Sequence, residues 1–532
     1  MSTSDGNEPE QVPVGPPDGA TAAGDSAGTT AQRATAEAAS GTDAAATAAA
    51  PGRGDDDTRF FGQPWALIHI FGVEAWERFS FYGMQVAMTY YLYFSVAEGG
   101  LGLPQTTAVG IIGAYGGSVY LATILGAWVA DRLLGSERTL FYSAIVIMAG
   151  HIALAVIPGF GGVIAGLLLV AIGSGGLKAN ATSVVGTLYA ADDTRRDAGF
   201  SLFYLGINLG AFAGPIITGF LRVNYGFHIA FAAAAVGMGL GLLQYAFGRR
   251  SLPAEARKIP NPLPRSRFGV VIAIGAAGIV AILALVFFGV ITADNLSVVV
   301  ATVTVIAAIA YFAVILTSRA ISSTERSRVF GFIPLFVTSV AFWSLYQQQF
   351  TVVPIYAEKK LDLNIFGFEM PPDWVQSINP VFIIILSGVF AALWTKLGTR
   401  QPSTPVKFGL GTILMGVAFL LFLPFAGGGA NSTPLIAMIG ILLVFTVAEL
   451  LVSPVGLSVA TKLAPERFHT QMVALFFLSV ALGTSISGWL ATFYDVDNEV
   501  PYFSILGGLA ILVGAGLLLA VKPVLAMMRG VR

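Results

Sequence analysis

The chain of 532 residues has no cysteine, which excludes disulfides, zinc–cysteine sites and thiol nucleophiles. Charge is scarce: 11% of residues are Asp, Glu, Lys or Arg, against about 25% in an ordinary soluble domain. Histidine occurs at four scattered positions, His69, His151, His228 and His469, so no metal cluster and no cofactor are expected. A net charge of −1 offers no basic surface to a nucleic acid. Against these absences stands a hydrophobic content of 55%, and the combination points to a membrane protein.

Residues 1–60 differ from the rest. The stretch "GATAAGDSAGTTAQRATAEAASGTDAAATAAAPGRGDDD" is small, polar and free of aromatics. Such a composition cannot bury enough apolar surface to offset ordering, so a disordered tail, disposable for function, is expected. It lacks the basic start and apolar core of a signal peptide.

A spanning helix needs roughly 20 apolar residues. About fourteen such runs follow, near 66–97, 108–132, 138–157, 162–189, 197–221, 227–247, 268–290, 295–317, 329–350, 374–396, 405–425, 433–460, 468–494 and 502–525. Lipid offers no partner to a bare amide, so they must be helices. One alternating set of loops, including "DRLLGSERT", "DDTRRD" and "TKLGTRQPSTPVK", is rich in Lys and Arg. The other set lacks them except for Arg222 and the "EKK" at 358–360. The positive-inside rule therefore places the basic loops and both termini in the cytoplasm. The division expected is a six-helix unit at 61–248, a basic loop at 249–267, a lipid-facing helix pair at 268–318 and a second six-helix unit at 319–532. Paired six-helix halves suggest a transporter with its site at their interface.

Charges inside the spans mark where that site lies. "EAWERFSFYGMQ" puts Glu74, Glu77 and Arg78 on one helical face. Intramembrane ionisable groups face a bundle interior or an aqueous cavity and mark a pathway; the alternative is a structural ion pair locking two helices. Two acids against one base leave a negative charge over. Lys178, in "GSGGLKANATS" of the fourth span, is the expected balance. That segment is not a phosphate loop, because Leu177 precedes the lysine and Ala179 follows it. In the second half Glu449 is flanked by apolar residues, with Pro454 expected to break or bend the helix and free backbone groups toward a cavity. A lone acid there can hold a ligand amine, or be a carboxyl kept neutral by burial.

"EAWERFSFYGM" resembles the ExxERFxYYG signature of the proton-dependent oligopeptide transporters, a branch of the major facilitator superfamily. "GAWVADRLLGSERT", "GSGGLKAN", "FYLGINLGAFAGP", "SINPVFIIILSGVFAALW" and "ELLVSPVGLSVATKLAP" match that family in order, over about residues 65–525. The resemblance implies an all-α membrane protein of the major facilitator fold: two six-helix bundles plus two inserted helices, importing di- and tripeptides with protons by alternating access. It implies a proton-coupling cluster of Glu74, Glu77, Arg78 and Lys178. Tyr82, Tyr120 and Asn208 would line the peptide site from one half, and Asn379, Glu449 and Ser453 from the other. Glu449 would hold the amino group, while Arg78 and Lys178 attract the carboxylate. Expected partners are the peptide, protons and membrane lipid, with a monomer as the functional unit.

Three positions depart from the family pattern. Gln85 stands where the family commonly has arginine, Gln347 where it commonly has an acid, and Phe81 replaces a signature tyrosine. Losing one charge of a buried pair would cost several kcal/mol, whereas losing both is self-consistent. A neutral Gln85–Gln347 hydrogen bond at the outer gate is therefore expected, worth roughly 1 kcal/mol. Proton coupling would then rest on Glu74, Glu77 and Glu449. Competing readings are a carrier of the same fold with weakened coupling or a non-peptide amino-bearing substrate, a receptor, and an intramembrane enzyme. No His-Glu or Ser-His arrangement supports the last.

Overall fold

The computed structural model describes residues 57–190 and 193–531. The tail reading falls on residues outside these, except for 57–60, which are built into the fold: Phe60 pairs with Gln63, and Asp57 accepts hydrogen bonds from Arg59 and from the Trp65 amide.

Six long helices come first: α1 Ala66–Tyr93, α2 Gln105–Val129, α3 Ser136–Val156, α4 Gly159–Gly186, α5 Arg196–Tyr225 and α6 Phe227–Gly248. Two follow, α7 Phe268–Phe287 and α8 Leu296–Thr317. The second set is α9 Ser323–Tyr346, α11 Ile378–Leu397, α12 Thr404–Leu420, α13 Leu435–Lys462, α14 His469–Ala491 and α15 Glu499–Leu519; the short α10 Val352–Lys359 and α16 Val521–Met527 complete the series. Thirteen segments among the described residues are long and apolar enough to cross a membrane. Helix α1, with its three charges, makes fourteen. Four two-residue strands sit in the loops, β1 Leu361–Asp362 beside β4 Thr433–Pro434 and β2 Asn364–Ile365 beside β3 Phe368–Glu369.

Helix ends follow local chemistry. Helix α9 starts six residues before the apolar run, because Ser322 and Glu325 form a reciprocal capping box: the Glu325 amide donates to Ser322 Oγ (3.2 Å) and the Ser322 amide to Glu325 Oε2 (2.7 Å). Gly135, at φ +80°, turns the chain between α2 and α3 under the 249–267 linker; a Cβ there would lie 2.7 Å from the Arg257 carbonyl. The linker itself pairs with this turn, the Asn261 and Leu263 amides donating to the carbonyls of Asp131 and Arg132.

Buried apolar side chains form two cores. One runs from Phe60 to Ala256 and adds Phe350; the other runs from Ala308 to Met528 and adds Val109. The halves approach most closely where α2 crosses α14. A Cβ on Gly113 would collide with the backbone of Gly488, so only glycine permits the crossing. The inserted helices differ from the uniform lipid-facing pair expected. Helix α7 has no buried residue, whereas α8 packs on α2 and α14, burying Ser297, Thr304, Ala308 and Ile315, and Thr107 donates to Asp294 just before it. The Thr304 hydroxyl is satisfied within its own helix, donating to the Val300 carbonyl at 2.7 Å.

Candidate functional site

Helix α1 buries Glu74, Glu77 and Arg78. Arg78 donates to Glu74 Oε1 from Nε (2.9 Å) and Nη2 (2.5 Å), and its Nε lies 3.4 Å from Glu77 Oε2. Glu77 turns its other oxygen to α4, accepting a hydrogen bond from Ser174 Oγ at 2.9 Å. Lys178 therefore does not pair directly with the spare carboxylate as expected. Its ammonium lies 4.3 Å from the Phe81 ring centroid and 5.5 Å from that of Tyr120, with no ion pair among the described residues. The reason is positional. Ser174 and Lys178 are one turn apart on the same face, so the serine meets Glu77 while the longer side chain continues past it. Phe81, in place of a signature tyrosine, gives the cation a ring face.

Between the halves lies a cavity of about 360 Å³. Arg78, Tyr82, Tyr120, Lys178 and Asn208 line it from the first half, Asn379, Glu449 and Ser453 from the second, and Gln85 and Gln347 also border it. Glu74 and Glu77 stand behind Arg78 and do not line it. Glu449 Oε2 accepts from the Tyr346 hydroxyl at 2.7 Å and from Asn379 Nδ2 at 3.5 Å, and Asn379 Nδ2 is also 3.0 Å from Thr446 Oγ1. No cation pairs with Glu449 among the described residues. Helix α13 runs unbroken through Pro454, so of the break or bend expected there the break does not occur; an intact helix presents the carboxylate and two neutral donors orient it. Two cations thus face one acid across the cavity, among rings that include Phe81, Tyr82, Tyr120 and Trp343.

Gln85 and Gln347 do not form the expected hydrogen bond. Gln85 Oε1 has no partner. A bond between neutral carboxamides contributes only about 1 kcal/mol, and closure at this end is carried elsewhere. Thr89 donates to the Phe350 carbonyl (3.2 Å), Tyr90 to that of Pro354 (3.0 Å), Trp374 to that of Ile216 (3.0 Å) and Ser377 to that of Phe212 (2.7 Å). Arg222 and Asp373 form a buried two-point ion pair across the same seam, Nε donating at 3.1 Å and Nη2 at 2.5 Å. All these contacts lie at the end with the Lys/Arg-poor loops; no side-chain hydrogen bond joins the halves at the opposite end among the described residues. The positive exceptions in those loops are accounted for. Arg222 pairs with Asp373, Lys359 with Glu358 at 3.0 Å, and Lys360 with Glu499 at 4.0 Å.

Sequence reasoning missed Tyr346, Ser174 and Asp373. Tyr346 directly precedes Gln347 and Ser174 sits inside the quoted glycine motif, so both were within view. Asp373 lies 151 residues from its partner, and no spacing rule connects them.

Two six-helix bundles around a charge-lined cavity, sealed at one end, define a membrane carrier. Comparison with known proteins narrows the class. A family model described as "POT family" (PTR2) matches residues 137–506. The chain is 40% identical over 492 residues to a di-/tripeptide transporter of Lactococcus lactis subsp. cremoris, covering 89% of this chain and 98% of that one. Among solved structures it is similar to peptide transporter POT in complex with alafosfalin (TM-score 0.85, 41% identity, 93% and 99% coverage). It is also similar to a POT family transporter in complex with 5-aminolevulinic acid (TM-score 0.83, 36% identity, 88% and 98% coverage). The chain belongs to the POT family.

Proposed function

We propose that the protein is a proton-coupled importer of di- and tripeptides that works by alternating access in the cytoplasmic membrane, with both termini in the cytoplasm. The observation that carries this reading is the polarity of the cavity, with Arg78 and Lys178 on one wall and, on the other, Glu449, which forms no ion pair among the described residues. A peptide zwitterion fits that polarity: its carboxylate goes to the cations and its ammonium to Glu449. Relatives named as di- and tripeptide transporters support the substrate class.

Alternation follows from the seam. Closure at the Lys/Arg-poor end, on the outside by the positive-inside rule, leaves opening at the other end as the step that releases substrate inward. Glu74 and Glu77 share Arg78, so a proton on either carboxylate, or a substrate carboxylate at Arg78, changes the same charge balance. Gln347 carries no proton, which leaves coupling to Glu74, Glu77 and Glu449. All the groups invoked belong to one chain, so a monomer suffices as the unit. The 249–267 linker and the α7–α8 pair lie outside the site.

A second reading is a small amino-bearing carboxylate as substrate. It is favoured by the relative solved with 5-aminolevulinic acid, which carries the same two charges. Uptake of labelled dialanine into proteoliposomes, with and without an inward proton gradient, tests the reading. Accumulation above equilibrium only with the gradient supports it; equilibration that ignores the gradient contradicts coupling, and no uptake contradicts the substrate.

A further inference from the structure

A hollow unconnected with the transport cavity lies at the other end of the first half. It sits where α3 begins and α6 ends, and Glu137, Arg138, Phe141, Arg249, Arg250 and Arg257 line it. Its volume is about 540 Å³, and it is open to one side. Four guanidinium groups meet a single carboxylate there, so positive charge is in excess by three.

The hollow is built, not a chance crowding of surface side chains. Glu137 is fully buried and takes both prongs of Arg249, at 2.7 and 3.0 Å. It also faces Arg257 Nε at 3.6 Å. Arg249 lies over Phe141, its Cζ 3.9 Å from the ring centroid, and Arg257 Nη2 donates to the Arg249 carbonyl. Two forks are thus fixed in place, and the acid that fixes them is spent. Arg138 and Arg250 are exposed and form no ion pair among the described residues. Planar guanidinium forks suit the oxygens of a phosphate group, which accept two donors side by side.

The surroundings say what carries the phosphate. Phe247, three residues before Arg250, is 82% exposed, and Tyr142, four residues after Arg138, is 52% exposed. Both stand where the spans reach the membrane boundary: Tyr142 has the apolar ring and polar hydroxyl suited to that level, and Phe247 offers a purely apolar ring. Leu243, one turn further into the span, is 56% exposed. A ligand that joins an anion to hydrocarbon would use all of these groups; a free phosphate would use only the arginines.

We propose that this hollow binds the phosphodiester headgroup of an anionic phospholipid from the inner leaflet, tying the 249–267 linker to α3. The leaflet rests on the orientation proposed above; the binding chemistry does not.

The test uses purified full-length protein equilibrated with mixed detergent micelles of phosphatidylglycerol or phosphatidylcholine, with retained lipid read by native mass spectrometry. Phosphatidylglycerol should be retained preferentially. The double variant R138Q/R250Q should lower its retention on the order of tenfold or more. R400Q, an exposed arginine at the same end of the other half, should leave it unchanged. Both altered positions are exposed, and an unchanged melting temperature confirms folding; the single R250Q variant gives a second, milder reading. Equal retention in the double variant and R400Q, or no preference over phosphatidylcholine, overturns the proposal. Displacement of the lipid by millimolar inorganic phosphate overturns the lipid source and leaves a phosphate site. None of these readouts depends on peptide transport. A single cysteine replacing Ser251, in a chain with no other cysteine, reports the orientation separately through its reaction with impermeant thiol reagents.

Discussion

Arg222 on α5 and Asp373 before α11 form a buried ion pair across the two halves of the protein. Arg222 also lies over the ring of Tyr90, 4.6 Å from its centroid, and Tyr90 itself reaches across the seam to Pro354. Removing one partner leaves an uncompensated buried charge, costing about 3–5 kcal/mol, and this cost falls only on the conformation closed at this end. D373N should therefore favour the conformation open there. With a single cysteine at Gln376, which lines the cavity, labelling by an impermeant thiol reagent should speed up by at least tenfold in D373N. Unchanged labelling would mean that the pair does not hold the seam shut.

The crossing of Gly113 and Gly488 gives an independent handle on the same equilibrium. Helix α2 and α14 touch backbone to backbone there, with no room for a Cβ on Gly113. G113V should reduce dialanine uptake severely, and an unchanged melting temperature separates this from misfolding, since Ile112 and Tyr115 beside it belong to the first core. A conservative G113A variant should retain an intermediate rate. Full activity of G113V would show that the halves need not come this close.

Glu449 is oriented by Tyr346 and Asn379 and forms no ion pair among the described residues. E449Q keeps the shape and removes the charge offered to the ligand ammonium. A charged hydrogen bond contributes about 1.5–3 kcal/mol, so KM for dialanine should rise by roughly 10- to 150-fold. N-acetyl-dialanine, which lacks the ammonium, should be insensitive to the change. Equal losses for both ligands would place Glu449 outside the amino-group site.

Glu77 is shared between Arg78 and Ser174. E77Q should abolish accumulation driven by a proton gradient while sparing exchange of labelled for unlabelled dialanine at equal pH. S174A, which removes only the hydroxyl bonded to the Glu77 carboxylate, should cost about 1.5–3 kcal/mol of local stability and leave exchange intact. Loss of exchange in E77Q would make the residue structural.

Much of this was legible from the chain, and the parts that were not have a common cause. Hydropathy located every span to within a few residues, since bare amides are excluded from lipid, though capping chemistry moved the start of α9. The first-helix charges and Glu449 stood out because apolar neighbours make a charge conspicuous. All eight residues expected at the substrate site border one cavity. Contacts set by distance through space were hidden. Nothing local tells that Ser174 meets Glu77 before Lys178 does, that Asp373 neutralises Arg222, or that α8 packs while α7 does not. Gln85 and Gln347 both border the cavity, yet the hydrogen bond expected between them does not form. Family positions fix which residues are close, while the geometry of two flexible amides is set by their neighbours.

The most direct test of a coupled, two-charge site is proton movement caused by the substrate itself. Proteoliposomes carrying a pH-sensitive dye inside, with no imposed gradient, should acidify when dialanine is added outside. They should stay unchanged with an N-acetylated, C-amidated dialanine that carries neither charge. Dialanine entry without acidification, or equal acidification by both compounds, would contradict the account.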